Sequence, residues 1–230
     1  MNLFPLFLKL EGKRCLVVGA GMVALEKIEA LLRCGAHVSI VSPAAVDAVQ
    51  KLSERGTVEW TVRCFLPDDL DGAVLAIAAT NDREVNRQVF EEASRRSILA
   101  NAVDDPPLCD FFCASIVERG DLQIAISTAG KSPALAQRLR REIDAQLAPD
   151  MGRWLNDLGD LRREVLAAMP AGEARKEFLH QLARRDVCSA ESCPARLDVQ
   201  TAARSAPGLG SAEVRRKEPE PEWRSEEAQP

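Results

Sequence analysis

The sequence predicts an α/β fold built on a mostly parallel, doubly wound sheet, and three observations carry the prediction. An apolar run at 15–18 leads directly into Gly19-Ala-Gly-Met-Val-Ala24 and then into a helical stretch. A second run, 73–79, is apolar without interruption, the pattern of a strand covered on both faces. Around these two, short strand-like runs alternate with helical periodicity, as parallel strands joined by crossover helices require.

Each element has a local reason. Residues 15–18 read as a buried strand, and 22–34 as a helix closed by Gly35, which tolerates the left-handed backbone that ends helices. A second strand spans 37–41. After it, Ser42-Pro43 predicts a helix with serine as N-cap and proline at the first helical position, ended by Gly56. The alternation at 57–63 predicts an edge strand, and 73–79 a central one. Thr80-Asn81-Asp82 caps the next helix, which runs to about Arg96, and 98–102 supplies the last strand of the sheet.

From residue 111 the rhythm changes. Two strands at 111–117 and 122–127, joined by the polar turn Glu118-Arg119-Gly120-Asp121, predict a β-hairpin. Ser132-Pro133 opens a helix with one apolar stripe, Leu135, Leu139, Ile143 and Leu147, and two further helices are predicted over 150–168 and 172–185. Beyond Asp186 the composition turns to Ser, Ala, Pro, Arg and Glu, too poor in apolar surface to offset ordering entropy. The expected organisation is an α/β domain over 1–110, a hairpin-and-helix region over 111–148, a helical domain over 149–186 and a disordered tail over 187–230.

Bulk properties exclude several classes. The 230 residues carry a formal net charge of -5, which argues against a nucleic-acid binder acting through its overall field. No apolar run approaches a membrane span, and 1–10 lacks a basic segment and a cleavage site, so a cytoplasmic protein is expected. The seven cysteines are odd in number and scattered, which is not a disulfide framework. Cys109-x3-Cys113 and Cys188-x4-Cys193 lack zinc-site spacing, and only two histidines, His37 and His180, could complete a site, so no metal ligands are assigned. Cys15 and Cys113 are expected to be small buried apolar residues, His37 to be structural and His180 to lie on a helix surface.

Chemistry is expected at the glycine turn. Gly19 makes the tight turn, Gly21 lets the backbone approach a pyrophosphate, and Ala24 lets helix pack closely on strand, while the first helical N–H groups, at Met22 and Val23, face the phosphates. In its strand–turn–helix context, G-x-G-x-x-A predicts a dinucleotide site; a purely structural glycine turn is the plainer alternative. The acidic residue expected about twenty positions on, for the ribose hydroxyl, is missing. Val41-Ser42-Pro43-Ala44 stands there, so Ser42 and the backbone at Pro43 and Ala44 become the candidates for the adenosine ribose, and the residues alone leave NAD and NADP open. Thr80 and Asn81 are candidates for the nicotinamide side, a role compatible with capping a helix. Gly130-Lys131-Ser132 is not the end of a phosphate loop, because Ala125 stands where that motif needs its first glycine.

Taken together, Gly19-Ala-Gly-Met-Val-Ala24 with Lys27, Leu75-Ala-Ile-Ala-Ala-Thr-Asn-Asp82, Asn101-Ala-Val-Asp104 and Ser127-Thr-Ala-Gly-Lys-Ser-Pro133 resemble the precorrin-2 dehydrogenase and sirohydrochlorin ferrochelatase family of siroheme synthesis. The resemblance covers residues 5–185. It implies a Rossmann-like fold, NAD-dependent oxidation of precorrin-2 to sirohydrochlorin and, in bifunctional members, insertion of Fe2+ to give siroheme. It also implies a homodimer in which hairpin and following helices exchange between subunits. The chain has no room for the uroporphyrinogen methyltransferase domain to which the family is sometimes fused, so the stand-alone form is expected.

Asp104 matches the aspartate this family uses for catalysis, and it follows a predicted strand at the edge where doubly wound sheets bind ligands. As a residue it reads equally as a turn aspartate within Val103-Asp-Asp-Pro-Pro107. The resemblance makes it the candidate proton acceptor and leaves Asp105 as its unmatched neighbour. Lys131, Arg138 and Arg141 are candidates to meet the carboxylates of the tetrapyrrole, with solvated helix charges as the alternative. A different class remains for the whole chain: a regulatory NAD-binding module of the kind found in potassium transport systems. Such modules carry the ribose acid missing here and have no use for the segment ending at Asp104.

Overall fold

The computed structural model describes residues 3–184, 197–199 and 201. Five strands, β1 (Arg14–Val18), β2 (His37–Val41), β3 (Glu59–Thr61), β4 (Leu75–Ala78) and β5 (Leu99–Ala102), lie in the order β3-β2-β1-β4-β5. Every pairing is parallel. The chain starts at the middle of the sheet, winds outward through β2 and β3, then returns beside β1 and winds the other way. Its direction reverses between β1 and β4, and there the carboxyl ends of an open sheet leave a crevice.

Strand alternation explains the two cores. Cys15 and Val17 of β1 point to one face, where helices α1 (Met22–Arg33) and α2 (Asp47–Glu54) bring Ile28 and Val49; Leu16 and Val18 point to the other, against Val89 and Ala93 of α3 (Arg83–Arg95). Burial on both faces is what an uninterrupted apolar strand requires, and Leu16, Val17 and Ala76 have no exposed surface at all. Truncating Leu16 to alanine would cost about 2–5 kcal/mol in lost burial and cavity formation.

The structure corrects two sequence expectations about elements. The helix expected from Ser42 begins at Asp47, because the Ser42 carbonyl accepts a hydrogen bond from Trp60 Nε1 at 3.0 Å and cannot open a helical ladder. The hairpin is β6 (Ser115–Arg119) and β7 (Leu122–Ile126), so its first strand starts four residues later than 111. Residues before it are held by β5 instead: Asp110 N donates to the Ala100 carbonyl at 2.8 Å and Asn101 Nδ2 to the Phe111 carbonyl at 2.8 Å. The turn is Gly120-Asp121, with Gly120 at φ +58°. Two 3-10 turns, Pro67–Leu70 and Pro106–Leu108, were not predicted; the first is tied by Arg63 to Asp69 at 2.7 and 2.5 Å, and this guanidinium holds the Asp69 carboxyl below its ordinary range.

The chain divides into two units, Met1–Val117 with Ile124–Gln146, and Glu118–Gln123 with Leu147–Pro230. The first holds the sheet and α4 (Pro133–Gln146), opened by Ser132 Oγ accepting from Leu135 N at 3.2 Å. In the second, α5 (Met151–Ala168) and α6 (Glu173–Leu182) bury Leu161, Val165 and Leu182 together with Val199. Val199 lies in the stretch read as a disordered tail, where 197–199 and 201 are helical. The rest of 187–230 lies outside the described residues. No helix among those described is long and apolar enough to cross a membrane.

Candidate functional site

The glycine turn leaves β1 at the switch point. Gly19 has φ +105°, and a Cβ there would fall 2.4 Å from the Ala79 carbonyl oxygen, so the residue is required both by its backbone and by the close pass of the end of β4. Gly21 differs. It is the N-cap of α1 at φ -82°, a conformation any residue adopts, yet an added Cβ would meet nothing within 4 Å. Space beside a helix N-terminus that has no side-chain cap and no acid in its first turn fits a dinucleotide phosphate, which the Met22 and Val23 N–H groups would hold. Both of those residues are exposed, whereas Ala24 is completely buried, as close packing of helix on strand demands.

Beyond β2, Ser42 is buried and its hydroxyl donates to the Ala44 carbonyl at 2.6 Å. Val46 N bonds the Ala20 carbonyl at 3.0 Å, which fastens the 42–46 loop to the glycine turn. Beyond β4, the cap of α3 is Asp82, whose carboxylate accepts from Glu84 N at 2.9 Å and Val85 N at 3.3 Å. Thr80 is held separately. Its peptide N–H and its hydroxyl both reach Asn86 Oδ1, at 3.2 and 2.7 Å, and Asn86 Nδ2 returns a bond to the Thr80 carbonyl at 3.0 Å. Asn86, buried on α3, was invisible to motif reading; its amide is what fixes the chain where β4 ends. Asn81 is exposed beside it.

At the end of β5, Asp104 takes a left-handed backbone, φ +62°, which a non-glycine residue adopts at a cost unless its surroundings hold it. Cys109 does much of the holding. Its sulfur lies 3.2 Å from the Ala102 carbonyl and 3.3 Å from the Asp105 carbonyl, on either side of Asp104, and Asn101 Nδ2 donates to it at 3.3 Å. Burial pushes the Cys109 thiol up, so it keeps the proton with which it donates. The neighbour Asp105 is neutralised by Arg83 at 3.0 Å, while Asp104 is exposed and has no ion-pair or hydrogen-bond partner among the described residues.

Asp104 lines a cavity of about 410 Å³ within the first unit, together with Asn101, Cys109, Cys113, Ser127, Thr128 and Lys27. Cys113 is thus an exposed cavity residue and not the buried apolar one expected. Lys131, Arg138 and Arg141 are absent from the lining, and Arg138 is paired with Glu142 at 3.3 Å on the surface of α4. Ser127, Thr128 and Lys27 stood in the sequence motifs, but nothing in composition or spacing showed that they share one cavity with Asp104. Among the described residues no group of three or more His, Cys, Asp or Glu is placed to hold a metal.

A parallel sheet with a glycine turn at its switch point, and a carboxylate-bearing cavity off a neighbouring strand, defines a dinucleotide-binding protein. Residues 6–115 match the family described as putative NAD(P)-binding, and 119–146 the family described as sirohaem biosynthesis protein central. The siroheme synthase of Photorhabdus laumondii is 40% identical over 181 residues, covering 79% of this chain and 38% of that protein. That of Thioalkalivibrio sulfidiphilus is 40% identical over 182 residues, covering 79% and 37%. Over these residues the chain is similar to siroheme synthases, and it spans less than two fifths of the length of these relatives. A solved structure described as SirC, precorrin-2 dehydrogenase, superposes with a TM-score of 0.70 at 21% identity, covering 89% of this chain and all of that one, which establishes a shared fold.

Proposed function

We propose that the chain oxidises precorrin-2 to sirohydrochlorin with NAD. The observation that carries this reading is Asp104: an unpaired carboxylate, held in a left-handed turn at the carboxyl edge of the sheet, lining a cavity beside the dinucleotide turn. NAD, when bound, supplies the hydride acceptor. The oxidation also releases a proton, and Asp104 receives it; Cys109 and Asn101 keep the turn in place, and Thr80, pinned by Asn86, lines the nicotinamide side. Ser42, Pro43 and Ala44 meet the adenosine ribose. Lys131, Arg138 and Arg141 remain outer contacts for substrate carboxylates only if they reach it from beyond the cavity wall. When Fe2+ is offered as a second substrate, the same carboxylate can take up pyrrole protons, and metal insertion into sirohydrochlorin with and without the protein checks that step.

The working form is a homodimer. Its support is apolar surface on the hairpin and on α4: Ile116 is 48% and Leu135 38% exposed, and Ala136 is the only buried residue of α4's fourteen. Sedimentation of the full chain checks it.

Anaerobic incubation with precorrin-2 and NAD, following NADH and sirohydrochlorin absorbance, tests the activity. Asp104→Asn is expected to lower kcat by at least about 100-fold, the lower end for a general base, while the Kd for NAD stays within about twofold. An Asp104→Asn protein with full activity would remove Asp104 from the reaction. A wild-type protein that binds NAD and oxidises nothing would return the chain to the class of regulatory modules.

A further inference from the structure

Helix α1 buries Ala24, Ile28 and Leu31 against the sheet. Leu25 is buried with them, and Lys27, three after Ala24 and four before Leu31, stands on the flank of this stripe, where it borders the surface of the helix. Lys27 is half-buried, and no ion pair or hydrogen bond satisfies it among the described residues. Its stem is partly covered, while its ammonium is not among the buried polar atoms and stays free to meet an anion.

The side chain lines the cavity that holds Asp104, Ser127 and Thr128, and it is the sole cation in that lining. Gly19, Gly21, Met22 and Val23, the residues that fit the dinucleotide phosphates, do not line this cavity. We infer that Lys27 is a substrate-binding residue, whose ammonium receives a carboxylate of the tetrapyrrole and so sets the ring against Asp104. The inference rests on the redox reading for the identity of the substrate, but the geometry itself asks only for an anionic group in the cavity. It also assigns the task expected of Lys131, Arg138 and Arg141 to the one cation inside the wall. Asp104 and Lys27 then divide the cavity: the acid faces the reacting centre, the base a carboxylate arm.

The test uses the full chain as wild type, Lys27→Met and Lys27→Arg, titrated with sirohydrochlorin by absorbance and separately with NAD. Lys27→Met keeps the apolar stem and loses the charge. Its sirohydrochlorin Kd is expected to rise about tenfold, the low end for a charge-assisted hydrogen bond, with the NAD Kd within twofold and the thermal midpoint unchanged or raised. Lys27→Arg is expected to restore affinity to within about twofold of wild type. Unchanged sirohydrochlorin affinity in Lys27→Met overturns the inference, as does a loss shared equally by NAD, which would assign the ammonium to the pyrophosphate. A wild-type protein that binds sirohydrochlorin through Lys27 but does not oxidise precorrin-2 removes the redox reading and leaves Lys27 standing; one that binds no sirohydrochlorin overturns both.

Discussion

Gly19 and Gly21 stand two residues apart in one motif, yet the structure gives them separable jobs, and alanine at each should separate stability from cofactor binding. In Gly19→Ala the new Cβ would sit 2.4 Å from the Ala79 carbonyl oxygen and 2.8 Å from its carbon, both backbone atoms of the residue that directly follows β4. Neither can yield without moving β4. To the strain of φ +105°, roughly 1–3 kcal/mol for a side-chain-bearing residue, is added an overpacking cost of about the same size. The sum, about 2–6 kcal/mol, corresponds to a loss on the order of 10 °C in Tm for a chain of this length. Gly21→Ala meets nothing within 4 Å and keeps an ordinary φ of -82°, so its Tm should change little, the lost freedom of the unfolded chain offsetting alanine's poorer N-cap. The same methyl occupies the approach of the phosphates, and the NAD Kd should rise at least about tenfold. Thermal melts and NAD titrations of the two variants decide it. If Gly21→Ala binds NAD as wild type does, or unfolds as early as Gly19→Ala, the division of labour in the turn is wrong.

Two further outcomes follow from the thiols. Cys109→Ala removes the sulfur between the carbonyls flanking Asp104 and should lower kcat for precorrin-2 several-fold more than it raises either KM, with Cys109→Ser recovering most of the rate; equal loss in both variants would mean that thiol volume, not donation, matters. Cys15 is fully buried, and burial, with a smaller contribution from Cys34, pushes its thiol up to about 11 from an ordinary 9.0. The folded state thus resists the thiolate: its contribution is complete below pH 9 and is lost as pH rises through 11, by about 3 kcal/mol at most. Urea unfolding between pH 8 and 11 should show that decline in wild type and much less of it in Cys15→Ala.

What could be read in advance follows the range of the physics involved. Strand and helix identity is set by neighbours a few residues away, and β2 (His37–Val41) and the Gly35 stop after α1 were legible to the residue. The failed expectation at Ser42-Pro43 had good local chemistry, an N-cap before proline, and was overruled by Trp60 from β3, eighteen residues on. Likewise 111–114 has the apolar character of a strand, but Ala100 holds Asp110 just before it and Asn101 takes the Phe111 carbonyl, each from ten residues upstream. Asp104 was legible only as a match to a motif. The reasons it is held, its positive φ and the sulfur of Cys109 between its neighbours' carbonyls, are three-dimensional facts.

Lys27 marks where sequence reasoning stopped short of what it held. Its place on the flank of the 24, 25, 28, 31 stripe could have been counted, and a lysine there that finds no acidic partner invites a reason. Local violations gather where function overrides packing, and an aspartate in left-handed backbone shares one cavity with an ammonium that has no acidic partner among the described residues. Asp105 next door is paired with Arg83 at the surface. Asp104 and Lys27 have no such partner among the described residues, and under the proposed reaction a polycarboxylate that releases a proton on oxidation is complementary to both at once.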